Sequence, residues 1–385
     1  MSSVGRLEGR IVGLDVLRFV AVFLVLGRHV SHLDSDTHGL FASWRAGGWV
    51  GVDIFFVLSG FLVSGLLFDE FKRTGRIDSK RFLVRRAWKI YPAFWAMIAF
   101  TLFMRIAFRS PDSQSWAALT KSTIAELLFV QNYIYGLWGH TWTLAVEEHF
   151  YVALVLLLAT LAIRSPAAAF REIPAIFLAV AVICLSLRMA TVYSHRLEPH
   201  DWFAFCGTHL RIDSLLFGVL ISYLCHFRDF QKRIASCPTA LLLGGGILGL
   251  TPPFFLGEIW GSAVWAVLVI GCYLASGALV LAATRLRTTS SSALLVFASL
   301  GAVSYSIYLW HVAVNAWGTR AIYKVLGARS DGLYLATYLF GSFALGLIMS
   351  RLIEMPTLAL RDKWFPSRRK HSLAPVEPGI SACKG

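Results

Sequence analysis

Charged residues are scarce in this chain. They make up 15% of its 385 residues, whereas hydrophobic residues make up 57%. Together with a mean hydropathy of +0.64, this composition excludes an ordinary soluble globular protein. It predicts a polytopic membrane protein instead.

Cysteine is also sparse, and its six occurrences show no metal-ligand spacing. We therefore expect neither a disulfide framework nor a cysteine metal site. The first apolar stretch is too long and too polar for a cleaved signal sequence, and no small-residue cleavage site follows it, so we expect it to remain as a helix. The six residues are Cys184, Cys206, Cys225, Cys237, Cys272 and Cys383.

Ten apolar stretches have roughly the 20 residues that a helix needs to cross a bilayer. We therefore predict an all-α, polytopic integral membrane protein with about ten transmembrane helices. Residues 1–10 precede them, residues 11–360 form the membrane domain, and residues 361–385 form a basic tail that we expect to be disordered. A short interfacial helix is predicted over Ile124–Tyr135. The predicted spans are 11–31, 50–68, 88–107, 141–163, 173–193, 212–227, 239–256, 261–283, 294–316 and 333–355.

The basic residues are distributed unevenly between the connecting segments. If the N-terminus lies in the cytoplasm, the inner segments hold far more Lys and Arg than the outer loops do, as the positive-inside rule requires. We therefore expect both termini in the cytoplasm. The net charge of +14 follows from this topology and does not require a nucleic-acid partner.

Three ionisable residues interrupt the first predicted helix: Asp15, Arg18 and His29. A charge near the centre of a spanning helix costs about 2.5–3.5 kcal/mol on insertion scales, so such residues are candidates for function. The spacing of Arg18 and His29 puts them on one helical face, roughly 16 Å apart along the axis. The alternative is that each is a snorkelling anchor or an interhelical hydrogen-bonding group. The shared face favours one helix that contacts both ends of a long substrate.

Five predicted helices carry ionisable residues at the outer level of the membrane. Glu147 and Glu148 are adjacent, and like charges repel, so we expect at least one of them to be paired or protonated. Arg211 and Asp213 are interpreted as a local ion pair, and Asp53 as either a functional group or a helix cap. The outer set is His29, Asp53, Glu147, Glu148, Arg211, Asp213 and His311.

The inner level is cationic, with Arg85, Arg86 and Lys89 leading into the third predicted helix. The simplest interpretation is a positive-inside anchor. The functional alternative is a binding surface for a phosphorylated ligand, because Arg and Lys bind phosphates by charge-assisted hydrogen bonds. A histidine near carboxylates at the outer level suits general-base chemistry. A separation of roughly 16 Å matches the extended arm of coenzyme A, so the pattern permits acyl transfer through the membrane.

Six stretches resemble the membrane-bound acyltransferase family 3, the bacterial O-acetyltransferases that modify cell-surface glycans. The resemblance implies a ten-helix domain in the bacterial inner membrane. It would take acetyl-CoA from the cytoplasm and acetylate a sugar hydroxyl on the periplasmic side. Members with a fused hydrolase-like domain are longer, so we expect a stand-alone version. The stretches, in family order, are LDVLRFVAVFLVLGRHV, GVDIFFVLSGFLVSGLL, FLVRRAWKIYPAFW, TWTLAVEEHFY, RIDSLLFGVL and SYSIYLWH.

The resemblance also implies roles for individual residues. His29 would be the catalytic residue and Arg18 its essential partner. Arg85, Arg86 and Lys89 correspond to the family's basic donor-binding motif. Lys89 stands where the family usually has Arg, which loses a bidentate fork but keeps the charge.

We therefore predict that Arg18 and the basic segment hold acetyl-CoA. His29, oriented by Glu147 or Glu148, would take the proton from a sugar hydroxyl. Direct transfer and an acetyl-imidazole intermediate are both open, as are acetyl and succinyl donors and the oligomeric state. The main alternative is an ion-coupled transporter of a glycan or lipid-linked sugar, although the inverted repeats typical of transporters are not evident. No metal is expected, and the residues expected to bind the acceptor are Asp53, Arg211, Asp213 and His311.

Overall fold

The computed structural model describes residues 11–31, 39–108, 114–164, 168–194, 202–257 and 262–366. Within these ranges the chain is helical and contains no strand, so the predicted all-α membrane fold is confirmed. The helices are α1 (Val12–Arg28), α2 (Leu40–Gly47), α3 (Val50–Thr74), α4 (Ser79–Ala107), α5 (Trp116–Leu127), α6 (Trp142–Arg164), α7 (Ile173–Ser194), α8 (Ile212–Phe227), α9 (Phe230–Arg233), α10 (Thr239–Leu250), α11 (Pro252–Phe255), α12 (Ala263–Arg285), α13 (Ser292–Ala302), α14 (Ser304–Ala313), α15 (Thr319–Leu326), α16 (Asp331–Met349) and α17 (Met355–Trp364).

Local sequence sets several of the helix ends. Asp78 accepts a hydrogen bond from the backbone N–H of Arg81 at the start of α4, and Ser115 accepts one from that of Ala118 at the start of α5. These side chains satisfy N–H groups that the first turn of a helix leaves without a partner. Gly75 ends α3 with a φ of 69°, a left-handed conformation that glycine adopts without steric cost.

Six helical segments are long and apolar enough to cross a membrane, and α13 with Ser304–Leu326 makes a seventh if that pair, bent by 67°, is counted as one span. The remaining predicted spans correspond to α1, α8 and Thr239–Phe255, which are helical but shorter. All ten predicted stretches are therefore helical where described, while length and composition support six or seven crossings. The six are Leu40–Thr74, Ser79–Ala107, Gly139–Arg164, Ile173–Ser194, Ala263–Arg285 and Asp331–Trp364.

Helices α3 and α8 cross with their backbones in contact, through two glycines. A Cβ on Gly60 would stand 1.9 Å from the carbonyl oxygen of Leu215, and a Cβ on Gly218 would meet the backbone of α3 at 2.1 Å. Helices α1 and α13 approach equally closely, because a Cβ on Gly301 would lie 1.8 Å from the carbonyl oxygen of Asp15. Such contacts maximise van der Waals packing, which is a main source of helix association in membranes.

Two predicted boundaries differ from the structure. The interfacial helix predicted over Ile124–Tyr135 begins earlier, as α5, and the chain leaves it near Phe129, which has a φ of 54°. Helix α17 continues to Trp364, so the predicted disordered tail begins within a helix. Residues 1–10 and the part of the predicted tail from residue 367 onward lie outside the described residues.

Candidate active site

A cavity of about 940 Å³ lies among the helices. Its wall is formed mainly by side chains of α1, α3, α4, α6, α14 and α17. Ionisable groups inside a membrane bundle are costly, and their concentration around one space indicates a functional site. Those in the wall are Asp15, Arg18, Asp69, Arg86, Lys89, Glu147, His226, Arg287, Glu354 and Arg361.

Arg18 lies in the cavity wall, as the predicted donor-binding role requires. Its Nη1 is 2.5 Å from Oδ1 of Asp15, one turn earlier on α1. A quarter of the Arg18 side chain is exposed (25%), whereas that of Asp15 is buried. The carboxylate therefore orients the guanidinium while part of the cation stays accessible.

Arg86 and Lys89 share the cavity with Arg18. The guanidinium of Arg86 lies 4.2 Å from the ring centroid of Tyr151, a cation–π contact. Both cations also interact electrostatically with Glu147. Thus three of the four cations that the sequence analysis predicted to bind the donor line the same cavity.

Arg85, the fourth, is not in the wall of this cavity. Its Nη2 is 3.0 Å from Oδ1 of Asp362, and its Nη1 donates to the carbonyl oxygen of Phe365. Neighbouring residues on an α-helix point about 100° apart, so Arg85 and Arg86 face different surroundings. The geometry suits Arg86 and Lys89 for donor binding and ties Arg85 to the end of α17.

Glu147 and Glu148 bond to tyrosines, which corrects the predicted pairing with His29. The hydroxyl of Tyr151 donates to Glu147 at 2.9 Å, and that of Tyr91 donates to Glu148 at 3.1 Å. The side-chain and carbonyl hydrogen bonds of His29 go to Val25 and Asn315 instead. The two carboxylates therefore belong with the cations of the cavity.

Three histidines from separate parts of the chain form a cluster. His29 follows α1, His140 lies in the 3₁₀ turn Gly139–Thr141 before α6, and His311 is on α14. Ring centroids are 4.8 Å apart for His29 and His311, 5.1 Å for His140 and His311, and 6.1 Å for His29 and His140. Glu147 lies roughly 10 Å beyond His140 along α6. Because of this distance, the His140 ring contacts His29 and the Glu147 carboxylate does not. We call His29, His140 and His311 the histidine cluster.

Backbone carbonyls fix the proton position on two of these rings. Nδ1 of His29 is 3.0 Å from the carbonyl oxygen of Val25, and Nδ1 of His311 is 2.6 Å from that of Tyr308. A carbonyl oxygen only accepts, so Nδ1 is the donor in both, and Nε2 of the neutral ring carries the lone pair. Both rings can therefore act as bases through Nε2.

Tyr308 stands between the cavity and the histidine cluster. Its side chain lines the cavity, and its ring centroid is 5.5 Å from that of His140 and 5.9 Å from that of His311. Its hydroxyl donates to the carbonyl oxygen of His140 at 2.7 Å and lies 2.6 Å from the hydroxyl of Thr143, which also lines the cavity. The cluster is therefore separated from the cavity by one aromatic ring.

The end of α1 is anchored by a π-helical segment, Val314–Gly318. Nδ2 of Asn315 donates to the carbonyl oxygen of His29 at 2.6 Å. The hydroxyl of Tyr334 donates to Oδ1 of Asn315 at 3.0 Å and accepts from the backbone N–H of Ser31 at 2.8 Å. π-Helical turns occur frequently at functional sites, and here one holds the backbone of the candidate catalytic residue.

Asp53, Arg211 and Asp213 form buried ion pairs, and the predicted local pair of Arg211 with Asp213 is wrong. Nη2 of Arg211 is 3.0 Å from Oδ1 of Asp53, and Oδ2 of Asp213 is 2.8 Å from Nη2 of Arg188. Residues two apart on a helix do not face each other, so each finds a partner on another helix. All four side chains are at most 1% exposed. Their burial favours a structural role over the predicted contact with an acceptor. His311, also predicted to contact the acceptor, lies in the histidine cluster.

A buried carboxylate holds the loop before α6. Oε1 of Glu126 accepts from the backbone N–H groups of Leu137 and Trp138, at 3.0 and 3.3 Å, and from the hydroxyl of Thr141, at 2.8 Å. Burial raises the pKa of Glu126 to about 7, because desolvation outweighs these hydrogen bonds. Thr141 follows His140 directly, so this contact helps to position the 3₁₀ turn.

Several of these residues did not emerge from the sequence. Arg188 could have been identified from the sequence, because it is an isolated charge within an apolar helix. Arg18 was identified as a candidate by the same criterion. His140 lies in a turn and Asn315 in a π-helical segment, where no periodicity indicates the direction of a side chain. Tyr308 resembles any other aromatic residue near a membrane surface.

No group of three or more His, Cys, Asp or Glu side chains in the described ranges is arranged to hold a metal ion. In the same ranges, the free thiols are Cys184, Cys206, Cys225, Cys237 and Cys272.

These features define an all-helical, multi-pass membrane protein in which a charged internal cavity adjoins a histidine cluster. The acyltransferase 3 family model, described as an acyltransferase domain, matches residues 11–360. The chain belongs to this family, which confirms the resemblance seen in the six sequence stretches.

Two curated relatives illustrate the similarity. The O-acetyltransferase OatA of Staphylococcus aureus (strain NCTC 8325 / PS 47) is 27% identical over 374 residues, which cover 92% of this chain and 57% of OatA. Another S. aureus relative, from strain COL and provisionally named an O-acetyltransferase, is 28% identical over 325 residues, covering 79% of this chain and 50% of the relative. The chain thus spans about half the length of the curated relatives it matches. No solved structure matches the chain.

Proposed function

We propose that this protein transfers an acetyl group from cytoplasmic acetyl-CoA to a hydroxyl group of a glycan on the outer side of a bacterial inner membrane. The observation that carries the proposal is the position of Tyr308. Its side chain belongs both to the wall of a cavity lined by cations and to the surroundings of the histidine cluster. A donor site and a base separated by one ring are the parts that acyl transfer needs. Membership of the acyltransferase family and the O-acetyltransferase names of the relatives support the same reaction.

The charged wall of the cavity suits the phosphates of coenzyme A. Arg18, Arg86 and Lys89 offer charge-assisted hydrogen bonds of the kind that bind phosphate. Arg287 and Arg361 add two cations to the same wall, next to the ends of α12 and α17. In this proposal the nucleotide end of the donor lies among the cations, and its thioester arm points towards Tyr308.

The outer end of α1 supplies the base. His29 is partly exposed, whereas His140 and His311 are buried, so His29 is the imidazole that an acceptor reaches first. Its Nδ1 is committed to a backbone carbonyl, which leaves Nε2 to accept a proton. Orientation by the Val25 carbonyl replaces the orientation by a carboxylate that the sequence suggested.

The chemical step needs one proton carrier. The acceptor hydroxyl oxygen attacks the thioester carbon while Nε2 of His29 takes its proton. The C–S bond then breaks, and the departing thiolate takes that proton back, which restores the neutral ring. Glu147 and Glu148 are hydrogen-bonded to tyrosines and interact electrostatically with Arg86. In this scheme they belong to the part of the site that binds the donor.

The membrane orientation follows from the same argument. Both termini lie in the cytoplasm, and the basic segment between α3 and α4 lies on the inner surface, as the positive-inside rule favours. The cations of the cavity then face the compartment that contains acetyl-CoA, and His29 faces the outer side.

The test uses purified protein reconstituted in vesicles. Acetyl-CoA with a labelled acetyl group is supplied on the side of the termini, and oligosaccharides prepared from a bacterial envelope are supplied on the other side. We expect an ester-linked label on the oligosaccharide, detected by mass spectrometry and removed by mild base. His29→Ala should abolish the label without changing the amount of inserted protein.

The transporter alternative makes the opposite prediction in the same vesicles. Movement of unmodified oligosaccharide across the membrane, with no label incorporated from acetyl-CoA, would refute the proposed enzyme. Full labelling by the His29→Ala variant would refute the role of His29.

A further inference from the structure

His140 is the most unusual polar residue of the histidine cluster. Only 4% of the residue is exposed, and neither ring nitrogen makes a hydrogen bond of normal geometry to a described residue. The carbonyl oxygen of Leu309 lies nearby without completing such a bond. Buried polar atoms are nearly always hydrogen-bonded, and one without a partner lowers stability, so its retention calls for an explanation.

The other two rings of the cluster supply acceptors and no donor. The Nδ1–H groups of His29 and His311 are bound to backbone carbonyls, which leaves each ring only the lone pair on Nε2. The neutral ring of His140 has one N–H, and no described carbonyl or side chain takes it with normal geometry. Within the described part of the chain, His140 therefore carries the available imidazole N–H of the cluster.

Acyl transfer to a hydroxyl requires both kinds of group. The base accepts the proton of the hydroxyl, and a positioned donor stabilises the negative charge that gathers on the former carbonyl oxygen. The mechanism above assigns the base to His29 and leaves the oxyanion without a donor. We propose that His140 is a second catalytic imidazole, whose N–H donates a hydrogen bond to this oxyanion.

This inference rests on the proposed function, and every bond and proton of the transfer step is accounted for. The hydroxyl oxygen bonds to the thioester carbon, its proton passes to His29, and the oxyanion is held by the N–H of His140. When the C–S bond breaks, the carbonyl re-forms, the thiolate recovers the proton from His29, and His140 keeps its own proton throughout.

Hydrogen bonds hold the main chain of His140 in place, and its ring packs against those of Tyr308 and His311, with centroids 5.5 and 5.1 Å away. Its carbonyl oxygen accepts from the hydroxyl of Tyr308 at 2.7 Å. The following residue, Thr141, donates to the buried carboxylate of Glu126 at 2.8 Å. A donor that is fixed before the reaction needs no reorganisation when charge develops, which is the source of its catalytic effect.

The experiment measures kcat and KM for acetyl transfer in the vesicle assay with the wild type, His140→Leu and His140→Gln. Leucine removes every ring N–H, whereas the glutamine amide can still donate. We expect His140→Leu to lower kcat by about 10²- to 10³-fold, with the KM for the donor nearly unchanged. The kcat of His140→Gln should lie between those of His140→Leu and the wild type. His149→Gln is the matched control, because His149 lies on α6 but bonds to Thr208, at 2.7 Å; it should keep the wild-type kcat.

The outcomes separate this inference from the proposed function. If the wild type transfers no acetyl group, the proposed function fails and His140 with it. If the wild type is active and His140→Leu keeps its kcat, only the role of His140 is refuted. The role is refuted as well if His140→Gln is no more active than a folded His140→Leu. Should His140→Leu fail to fold, His140→Met takes its place as the variant without a side-chain N–H. A kcat well below that of His140→Gln at constant donor KM supports the inference, and a kcat equal to that of the wild type overturns it.

Discussion

The amide of Asn315 and the carbonyl oxygen of His29 are joined by a hydrogen bond of 2.6 Å, although the two residues are 286 positions apart. Tyr334 donates in turn to Asn315 and accepts from the backbone N–H of Ser31. The backbone on both sides of His29 is therefore fixed by groups from the C-terminal part of the bundle. The position of the candidate base depends on these helices as much as on α1.

Asn315→Ala should lower the rate of acetyl transfer more than it lowers stability. Loss of the hydrogen bond frees the end of α1, and a misplacement of about 1 Å at a reacting group can cost roughly 100-fold in rate. The stability loss should be only about 1 kcal/mol. The rate is measured in vesicles and the stability by unfolding in detergent. Ser299→Ala, which removes a bond from an exposed hydroxyl to the carbonyl of Val296, is the control. Wild-type kcat in folded Asn315→Ala would contradict the anchoring role.

Arg85→Ala and Arg86→Ala should differ in their effect on the donor, although the residues are adjacent. Arg86 lines the cavity, whereas Arg85 bonds to Asp362 and to the carbonyl of Phe365. A hydrogen bond to a charged group contributes about 1.5–3 kcal/mol, so Arg86→Ala should raise the KM for acetyl-CoA by about 10-fold or more. Arg85→Ala should leave that KM nearly unchanged. Equal KM values for the two variants would show that the cavity is not the donor site.

Breaking the buried pair of Arg188 and Asp213 should be strongly destabilising. Both side chains are fully buried and two hydrogen bonds join them, at 3.1 and 2.8 Å. Arg188→Leu leaves an uncompensated carboxylate in the interior, which costs about 3–5 kcal/mol. The double variant Arg188→Leu/Asp213→Leu should be more stable than either single variant, because no charge is then left alone. Unfolding in detergent measures all three, and additive losses would contradict the pairing.

Glu126 should make stability depend on pH. Its pKa is raised from 4.5 to about 7 in the folded protein, so the folded state holds the proton more tightly than the unfolded state. The resulting stabilisation, on the order of 3 kcal/mol, is present below about pH 4.5 and is lost as the pH rises through about 7.

Glu126→Gln should remove this dependence. Its amide oxygen can still accept the hydrogen bonds from Leu137, Trp138 and Thr141, and the side chain carries no charge at any pH. The variant should therefore be more stable than the wild type at pH 8 and similar to it at pH 4. Unfolding temperatures measured across this range provide the test. Parallel curves for the two proteins would show that another group titrates.

The sequence was sufficient to predict the helical segments and some of the residues that face the cavity. Apolar length identifies membrane helices because the bilayer imposes it. Intramembrane charge singled out Arg18, Arg86, Lys89 and Glu147, all of which line one cavity. The spacing of Arg18 and His29 on α1 predicted that both contact one substrate, but only Arg18 lies in the wall of this cavity.

The pairings between helices could not be predicted in the same way. Glu148 binds Tyr91, and Asp213 binds Arg188 and not its sequence neighbour Arg211. Periodicity gives the direction of a side chain on its own helix, but the partner depends on the rotation and crossing of a second helix. The histidine cluster is the clearest example, because His140 enters it from a 3₁₀ turn.

The contact between α3 and α8 has a consequence for how the cavity can vary. At Gly60 and Gly218 the backbones of the two helices are in direct contact. A side chain at either position would collide with backbone atoms of the other helix, and a change of side-chain rotamer could not relieve the collision. Helix α3 supplies a large share of the cavity wall. Its distance from α8 depends on the lack of a side chain at both glycines. A variant of this protein with a larger cavity would therefore have to gain its room from smaller side chains in the wall, with Gly60 and Gly218 unchanged.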